Sequence, residues 1–211
     1  MEKVTITHQN SAAPPVYGLV MAGGLNTRMG MDKSALDFHG KPQGIYCSEL
    51  LGAVLERVCA SVRKGPPRPD VFEALPRVED AYGEIGPMSG VLSAMDQEPG
   101  AAWFVLACDL PYINELAVRE LLDGREPDRM ATAFMASDGF FEPLCAIYEP
   151  RSALLLKERL AAGRYSLRDV LTDADVRMVC PPEDRMLTNV NTPEDLEEVR
   201  ARLAAERAGL S

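Results

Sequence analysis

Short apolar runs alternate with stretches of helical spacing along most of the chain, and this alternation limits the fold more than any other feature. Residues 17–21 (Tyr-Gly-Leu-Val-Met) and 58–62 (Val-Cys-Ala-Ser-Val) read as buried strands. Residues 103–108 (Trp-Phe-Val-Leu-Ala-Cys) form the most apolar run and are expected at the centre of a sheet. Further strands are expected over 130–135, 144–148 and 176–180. Between them lie helical patterns. One follows Pro42, with Ile45, Leu50, Leu51, Val54, Leu55 and Val58 near one face, and a short one covers 87–95. Asn114 is placed to cap a helix over 115–123, and Gly163 to stop one over 152–162. Ser166 with Asp169 resembles a capping box. Thr192-Pro-Glu-Asp195 is a stronger helix start, followed by an apolar stripe of Leu196, Val199 and Leu203. Strands alternating with helices give an α/β fold, a mostly parallel sheet with helices on both faces. Neither an internal repeat nor an interior linker interrupts residues 16–211, so one domain is expected there, after a flexible leader over 1–15. The Pro- and Gly-rich residues 64–70 read as a loop.

A chain of 211 residues with a formal charge of −10 is poorly suited to tracking a nucleic-acid backbone. An anionic small molecule can still be bound where cations are concentrated locally. No apolar run approaches the roughly 20 residues that cross a bilayer, and the leader has no signal-peptide core. Cys47, Cys59, Cys108, Cys145 and Cys180 are scattered without CxxC spacing, so neither a zinc site nor a disulfide framework is suggested. The cytoplasm is the expected compartment.

In an open sheet of this kind ligands collect beyond the C-terminal strand ends. The first strand runs into Met21-Ala-Gly-Gly-Leu-Asn-Thr-Arg-Met-Gly-Met-Asp-Lys33. Gly23 and Gly24 allow a tight turn and close backbone approach, and successive N–H groups there can form an anion nest. From Gly23 to Lys41 three cations (Arg28, Lys33, Lys41) face two anions (Asp32, Asp37), a locally positive segment in an acidic chain. A triphosphate suits it; a solvated surface loop is the other reading. The spacing matches neither GxxxxGK[ST] nor GxGxxG, and Val62-Arg63-Lys64 stands where a dinucleotide fold carries its ribose-binding acid. His8 falls in the leader and His39 in a turn before Gly40, so neither reads as a catalytic base.

The apolar run of the central strand ends in Cys108-Asp109-Leu-Pro. A carboxylate there suits magnesium, which takes one or two carboxylates together with substrate phosphates. The alternative is an Asx turn before Pro111.

The glycine loop resembles the signature of GT-A-like nucleotidyltransferases, most closely the MobA-type molybdenum cofactor guanylyltransferases, whose loop reads LAGGxSxRMGxDK. Asn26-Thr27 depart from the frequent Ser. Gly40-Lys41-Pro42, Cys108-Asp109-Leu-Pro111, Gly86-Pro-Met-Ser-Gly90, Glu142-Pro-Leu and Asn189-Val-Asn-Thr-Pro-Glu194 continue the resemblance, over about residues 16 to 203. It implies a three-layer α/β/α sandwich of the nucleotide-diphospho-sugar transferase type, with a Rossmann-like sheet. It assigns catalysis to Arg28, Lys33 and Asp109. It assigns nucleotide binding to Met21, Ala22, Gly23, Gly24, Lys33, Ser61, Asp80 and Asp109. It gives Mg²⁺ to Asp109 and Asn191, and the second substrate to Asn189. Asp80 also reads as a solvated loop acid, Asn191 as a brace for the last helix, and the Gly86–Gly90 stretch as simple helix–sheet packing. The implied reaction is attack of an acceptor phosphate on the α-phosphorus of GTP, with molybdopterin as acceptor and proteins of molybdenum cofactor biosynthesis as partners. No nucleic acid or membrane is implied. A cytidylyltransferase, a sugar-phosphate nucleotidyltransferase and a non-catalytic nucleotide-binding protein are the alternatives.

Overall fold

Alternate side chains of the central strands enter two different cores, which is why those strands are apolar throughout. The computed structural model describes residues 13–21, 32–64 and 70–209. Strand β1 spans Val16–Met21, β2 Val58–Val62, β3 Arg77–Glu79, β4 Ala102–Ala107, β5 Ala131–Met135, β6 Phe141–Tyr148 and β7 Val176–Val179. They form one sheet in the order β3-β2-β1-β4-β6-β5-β7, with β4 in the middle as its composition predicts. Phe104 and Leu106 of β4 join Val20 and Ala60 on one face, whereas Trp103 and Val105 join Leu19 and Cys59 on the other. A period of two thus separates two apolar faces, and each needs a helical cover.

Helices α1 (Gln43–Gly52) and α3 (Glu115–Asp123) cover the first face through Cys47, Leu51, Val118 and Leu121. Helices α2 (Pro87–Gln97), α4 (Ser152–Ala161) and α5 (Leu167–Asp173) cover the second through Met88, Leu92, Leu156 and Val170. The result is the α/β/α sandwich. Local signals fix several helix starts. Asn114 accepts the Ala117 N–H at 3.1 Å, and Ser166 accepts that of Asp169 at 3.2 Å. Thr192 and Asp195 form a reciprocal capping box at α6 (Pro193–Arg207).

The sheet is parallel at β1–β2, β2–β3, β1–β4 and β5–β7, and antiparallel where β6 meets β4 and β5. The cause is a tight turn between β5 and β6. The Ala136 N–H donates to Phe140 O at 2.8 Å, and Gly139 takes φ +82°. Two details differ from the sequence expectation. Val58 belongs to β2 and not to the helix after Pro42, because α1 stops at Gly52. Strand β3 escapes the pattern because it has three residues and only Val78 is buried. Of the expected loop over 64–70, residues 65–69 lie outside the described residues, as does most of the leader.

A third, smaller cluster sits apart from the two faces. Leu36, Phe38, Tyr112, Val190, Leu196 and Val199 pack together and tie α6 to the segments after Lys33 and after Asp109.

Candidate active site

That small cluster gathers three distant segments at the C-terminal ends of the strands. The first is a 3-10 turn over Lys33–Ala35, started by Asp32, whose Oδ1 accepts from the N–H and hydroxyl of Ser34 at 2.9 and 2.7 Å. The second is the turn after β4 that carries Asp109. The third is the segment before α6 that carries Asn189 and Asn191. His39 braces the first two: its Nε2 lies 2.9 Å from Pro111 O and its ring stacks on Tyr46 at 3.8 Å. The backbone joins the second and third, since the Val190 N–H donates to Asp109 O at 2.9 Å. The Asp195 carboxylate accepts the N–H groups of Asn191 and Thr192, each at 2.9 Å, so the helix cap also fixes Asn191.

Lys33 is the meeting point. Its Nζ lies 3.0 Å from Asp109 Oδ2 and 2.9 Å from Asn191 Oδ1, with the lysine 7% exposed. Asp109 therefore makes no Asx turn. Its Oδ2 takes the ammonium, and its Oδ1 is buried with no hydrogen-bond partner among the described residues. Leaving a carboxylate oxygen in that state is costly unless something else completes it.

Other residues singled out in the sequence lie on the same edge of the sheet. Met21 ends β1, in register with Ser61 of β2 and Ala107 of β4. The Ser61 hydroxyl donates to Asp80 Oδ1 at 3.2 Å, so Asp80, which follows β3, is oriented from the neighbouring strand. Gly90 of α2 lies against this pair. A Cβ there would come within 2.3 Å of Ser61 Oγ and 2.9 Å of Met21 Cε. The small residues of the Gly86–Gly90 stretch thus serve close helix–sheet packing. Arg28, Ala22, Gly23 and Gly24 lie outside the described residues.

One residue in this neighbourhood received no role in the sequence reading. Glu142, near the start of β6, is 7% exposed. In the antiparallel β4–β6 register Leu106 faces Cys145, and continuing that pairing sets Asp109 opposite Glu142. Burial chiefly pushes the Glu142 carboxyl above the usual carboxylate range; the Leu144 N–H opposes this and the negative charge of Asp109 adds to it. The Leu144 N–H donates to Glu142 Oε1 at 3.0 Å. Glu142-Pro-Leu is part of the family resemblance, which gives Glu142 no role; the sheet pairing is what sets it beside Asp109.

In an open α/β sheet ligands collect at this C-terminal edge, where Lys33, Asp109 and Asn191 meet. Residues 18–179 match the family model described as the MobA-like NTP transferase domain, and the chain belongs to that family. It is a nucleotidyltransferase. It is 36% identical over 186 residues to a molybdenum cofactor biosynthesis bifunctional protein of Synechocystis, covering 88% of this chain but 54% of that protein. It is 30% identical over 193 residues to a molybdenum cofactor guanylyltransferase of Pseudomonas putida, covering 89% of this chain and 98% of that one. Among solved structures, molybdopterin-guanine dinucleotide biosynthesis protein A of Archaeoglobus fulgidus superposes with a TM-score of 0.71 at 19% identity, over 89% of this chain and 98% of that one. A CMP:2-keto-3-deoxy-manno-octonic acid synthetase superposes at 0.64 with 16% identity, over 92% of this chain and 100% of that one. Both likenesses concern the fold.

Proposed function

We propose that the chain transfers GMP from GTP to a molybdopterin-type acceptor, releasing pyrophosphate and forming a guanine dinucleotide cofactor. The observation that carries this reading is the convergence of Lys33, Asp109 and Asn191 from three distant segments onto one point, with 3.0 and 2.9 Å contacts. The names of the curated relatives supply the base and the acceptor.

A divalent metal fits the residues. Asp109 Oδ2 and Asn191 Oδ1 already converge on one cation, the lysine ammonium, and Asp109 Oδ1 is buried without a partner among the described residues. Both are hard oxygen donors, which suits Mg²⁺ completed by phosphate oxygens. When bound, the metal would neutralise phosphate charge as the α-phosphorus is attacked. The residues' own work is positioning and charge compensation. In the free protein Lys33 balances Asp109. With a triphosphate bound, the ammonium would be free to face its phosphates, where Arg28 would join it. The resemblance gives Ala22, Gly23 and Gly24 to the nucleotide together with Met21, and the Ser61 hydroxyl holds Asp80 at the same strand edge. Asn189 meets the second substrate. The acceptor phosphate is already anionic, so no general base is required, and His39 is committed to Pro111 and Tyr46. The same reading puts the chain in the cytoplasm, alongside other proteins of cofactor assembly.

Pyrophosphate release with Mg²⁺, molybdopterin and each of the four nucleoside triphosphates tests the proposal. GTP is expected to give at least about tenfold higher kcat/KM than the others. A preference for CTP would move the chain to the cytidylyl class, and no release with any of the four would remove the transferase reading.

A further inference from the structure

The loop that carries Asp109 presents a row of backbone carbonyls, several of which are met by donors from outside the loop. Asp109 O takes the Val190 N–H at 2.9 Å. Pro111 O lies 2.9 Å from His39 Nε2, and Ile113 O takes the Tyr46 hydroxyl at 3.1 Å. Between them, Leu110 O takes Gln43 Nε2 at 3.2 Å. His39, Gln43 and Tyr46 come from one short stretch at the start of α1. Gln43 acts nearest the carboxylate among these side chains, since Leu110 directly follows Asp109. The same residue reaches the Lys33 segment: its backbone N–H donates to Leu36 O at 2.8 Å, just after the 3-10 turn that carries Lys33. One residue is thus bonded to both segments whose side chains meet in the Lys33–Asp109 contact.

Gln43 is 0% exposed. Its Nε2 is the atom at Leu110 O, because a carbonyl accepts only from a donor. The same nitrogen lies 3.7 Å from Cys47 Sγ. This orientation leaves Oε1 buried with no hydrogen-bond partner among the described residues. A side chain kept for packing alone gains nothing from such an atom, since an apolar group of the same shape avoids its desolvation cost. Leu110 O also takes the Ile113 N–H at 3.3 Å, so it stays satisfied without Gln43. What the amide adds is a tether between α1 and the residue next to Asp109.

We propose that Gln43 is a positioning residue: its buried amide ties the Asp109 loop to the start of α1 and so holds the Asp109 carboxylate where Lys33 and a divalent ion can meet it. The inference rests on the proposed function for the ion. It deepens that reading by giving the placement of the metal ligand to a residue behind the site.

The test compares two variants of the full chain. Gln43→Met keeps the volume and has no donor, and Tyr46→Phe removes the neighbouring bond to Ile113 O. Gln43→Met is expected to raise the Mg²⁺ concentration for half-maximal activity by about tenfold, the scale of one intramolecular hydrogen bond. Its KM for GTP at saturating Mg²⁺ should stay within about twofold. Its Tm should fall by no more than about 2 °C, because Leu110 O keeps the Ile113 N–H and the unpartnered acceptor is gone. Tyr46→Phe should leave the Mg²⁺ requirement within about twofold, since its bond lies beyond the turn. A lower Tm with an unchanged Mg²⁺ requirement would mark Gln43 as purely structural and overturn the proposal, as would an equal rise in the two variants. Gln43→Leu serves with the same expectations if the methionine variant does not fold.

Amide hydrogen exchange needs no turnover. The Val190 N–H is bonded to Asp109 O, so its exchange reports whether the loop stays docked. In Gln43→Met it should speed up by about tenfold while the amides of β1 keep their rates. An unchanged Val190 rate, or one that rises in step with those of β1, would also overturn the proposal. Wild-type protein that releases no pyrophosphate, but whose Val190 amide responds to Gln43, would defeat the functional reading and leave the tether standing.

Discussion

Lys33 holds two oxygens that a divalent ion would need, and this sets the behaviour of single residues at the site. Its ammonium is 3.0 Å from Asp109 Oδ2 and 2.9 Å from Asn191 Oδ1. On the proposed reading, a metal arriving alone would have to displace the ammonium from Asp109 and Asn191. Lys33→Ala is therefore expected to bind Mn²⁺ more tightly than wild type in the absence of nucleotide, by about tenfold in a calorimetric titration. The same variant should lose at least about a hundredfold in turnover, because the positive charge is then missing from the phosphates. Weaker Mn²⁺ binding in Lys33→Ala would show that the lysine supports the metal site and does not compete for it. Glu142 yields a prediction about pH. Its carboxyl is raised in the folded chain, mainly by burial, so the fold favours its protonated form. Its contribution to stability is full below the ordinary carboxylate range and is lost as pH rises through the raised folded value. Glu142→Gln, which cannot ionise, should therefore gain Tm relative to wild type at pH 8 and gain less at pH 4.5. An equal difference at both pH values would contradict this.

Secondary-structure elements were legible in the sequence wherever a local rule acted alone. The cap at Asn114 and the box at Thr192–Asp195 formed as their residue types require. The run through Trp103 became the middle strand because both of its faces are covered. What the sequence hid depends on pairing between distant segments. The reversal of β6 follows from a turn at Gly139, and the closeness of Glu142 to Asp109 follows from that reversal. Val58 was misplaced because an apolar residue just past a helix reads equally well as its last turn. At the site, the sequence singled out Lys33, Asp109 and Asn191 one by one. Their common contact arises only once the small cluster around Leu36, Tyr112 and Val190 has formed. Two predictions belong to this scale. Thr192→Ala removes the side-chain half of the α6 cap and should cost about 1 kcal/mol of stability by denaturant unfolding. Because the Asp195 carboxylate also holds the Asn191 N–H, the same change should raise the Mg²⁺ concentration needed for half-maximal activity. Gly90→Ala forces a Cβ to within 2.3 Å of Ser61 Oγ and 2.9 Å of Met21 Cε, and should cost about 1–3 kcal/mol. Unchanged stability in either variant would show that the local contact is replaceable.

The whole molecule places its chemistry along one edge. The chain carries a formal charge of −10, yet its sheet delivers Lys33 to the same rim as Asp109, Asn191, Ser61 and Asp80. The parallel strands β1 to β4 end on that rim, and β6 begins there because it runs the other way. The end of β2 and the segments after β3 and β4 therefore reach that rim together with Lys33, above the two apolar cores. Among the described residues no helix is long and apolar enough to cross a membrane. The central claim is that Asp109 joins a metal to the triphosphate at this rim. Calorimetric binding of a GTP analogue with an uncleavable α–β linkage, with and without Mg²⁺, tests it most directly. In wild-type protein Mg²⁺ is expected to raise the affinity by at least about tenfold, and in Asp109→Asn to leave it unchanged. An equal Mg²⁺ enhancement in both proteins would contradict the account.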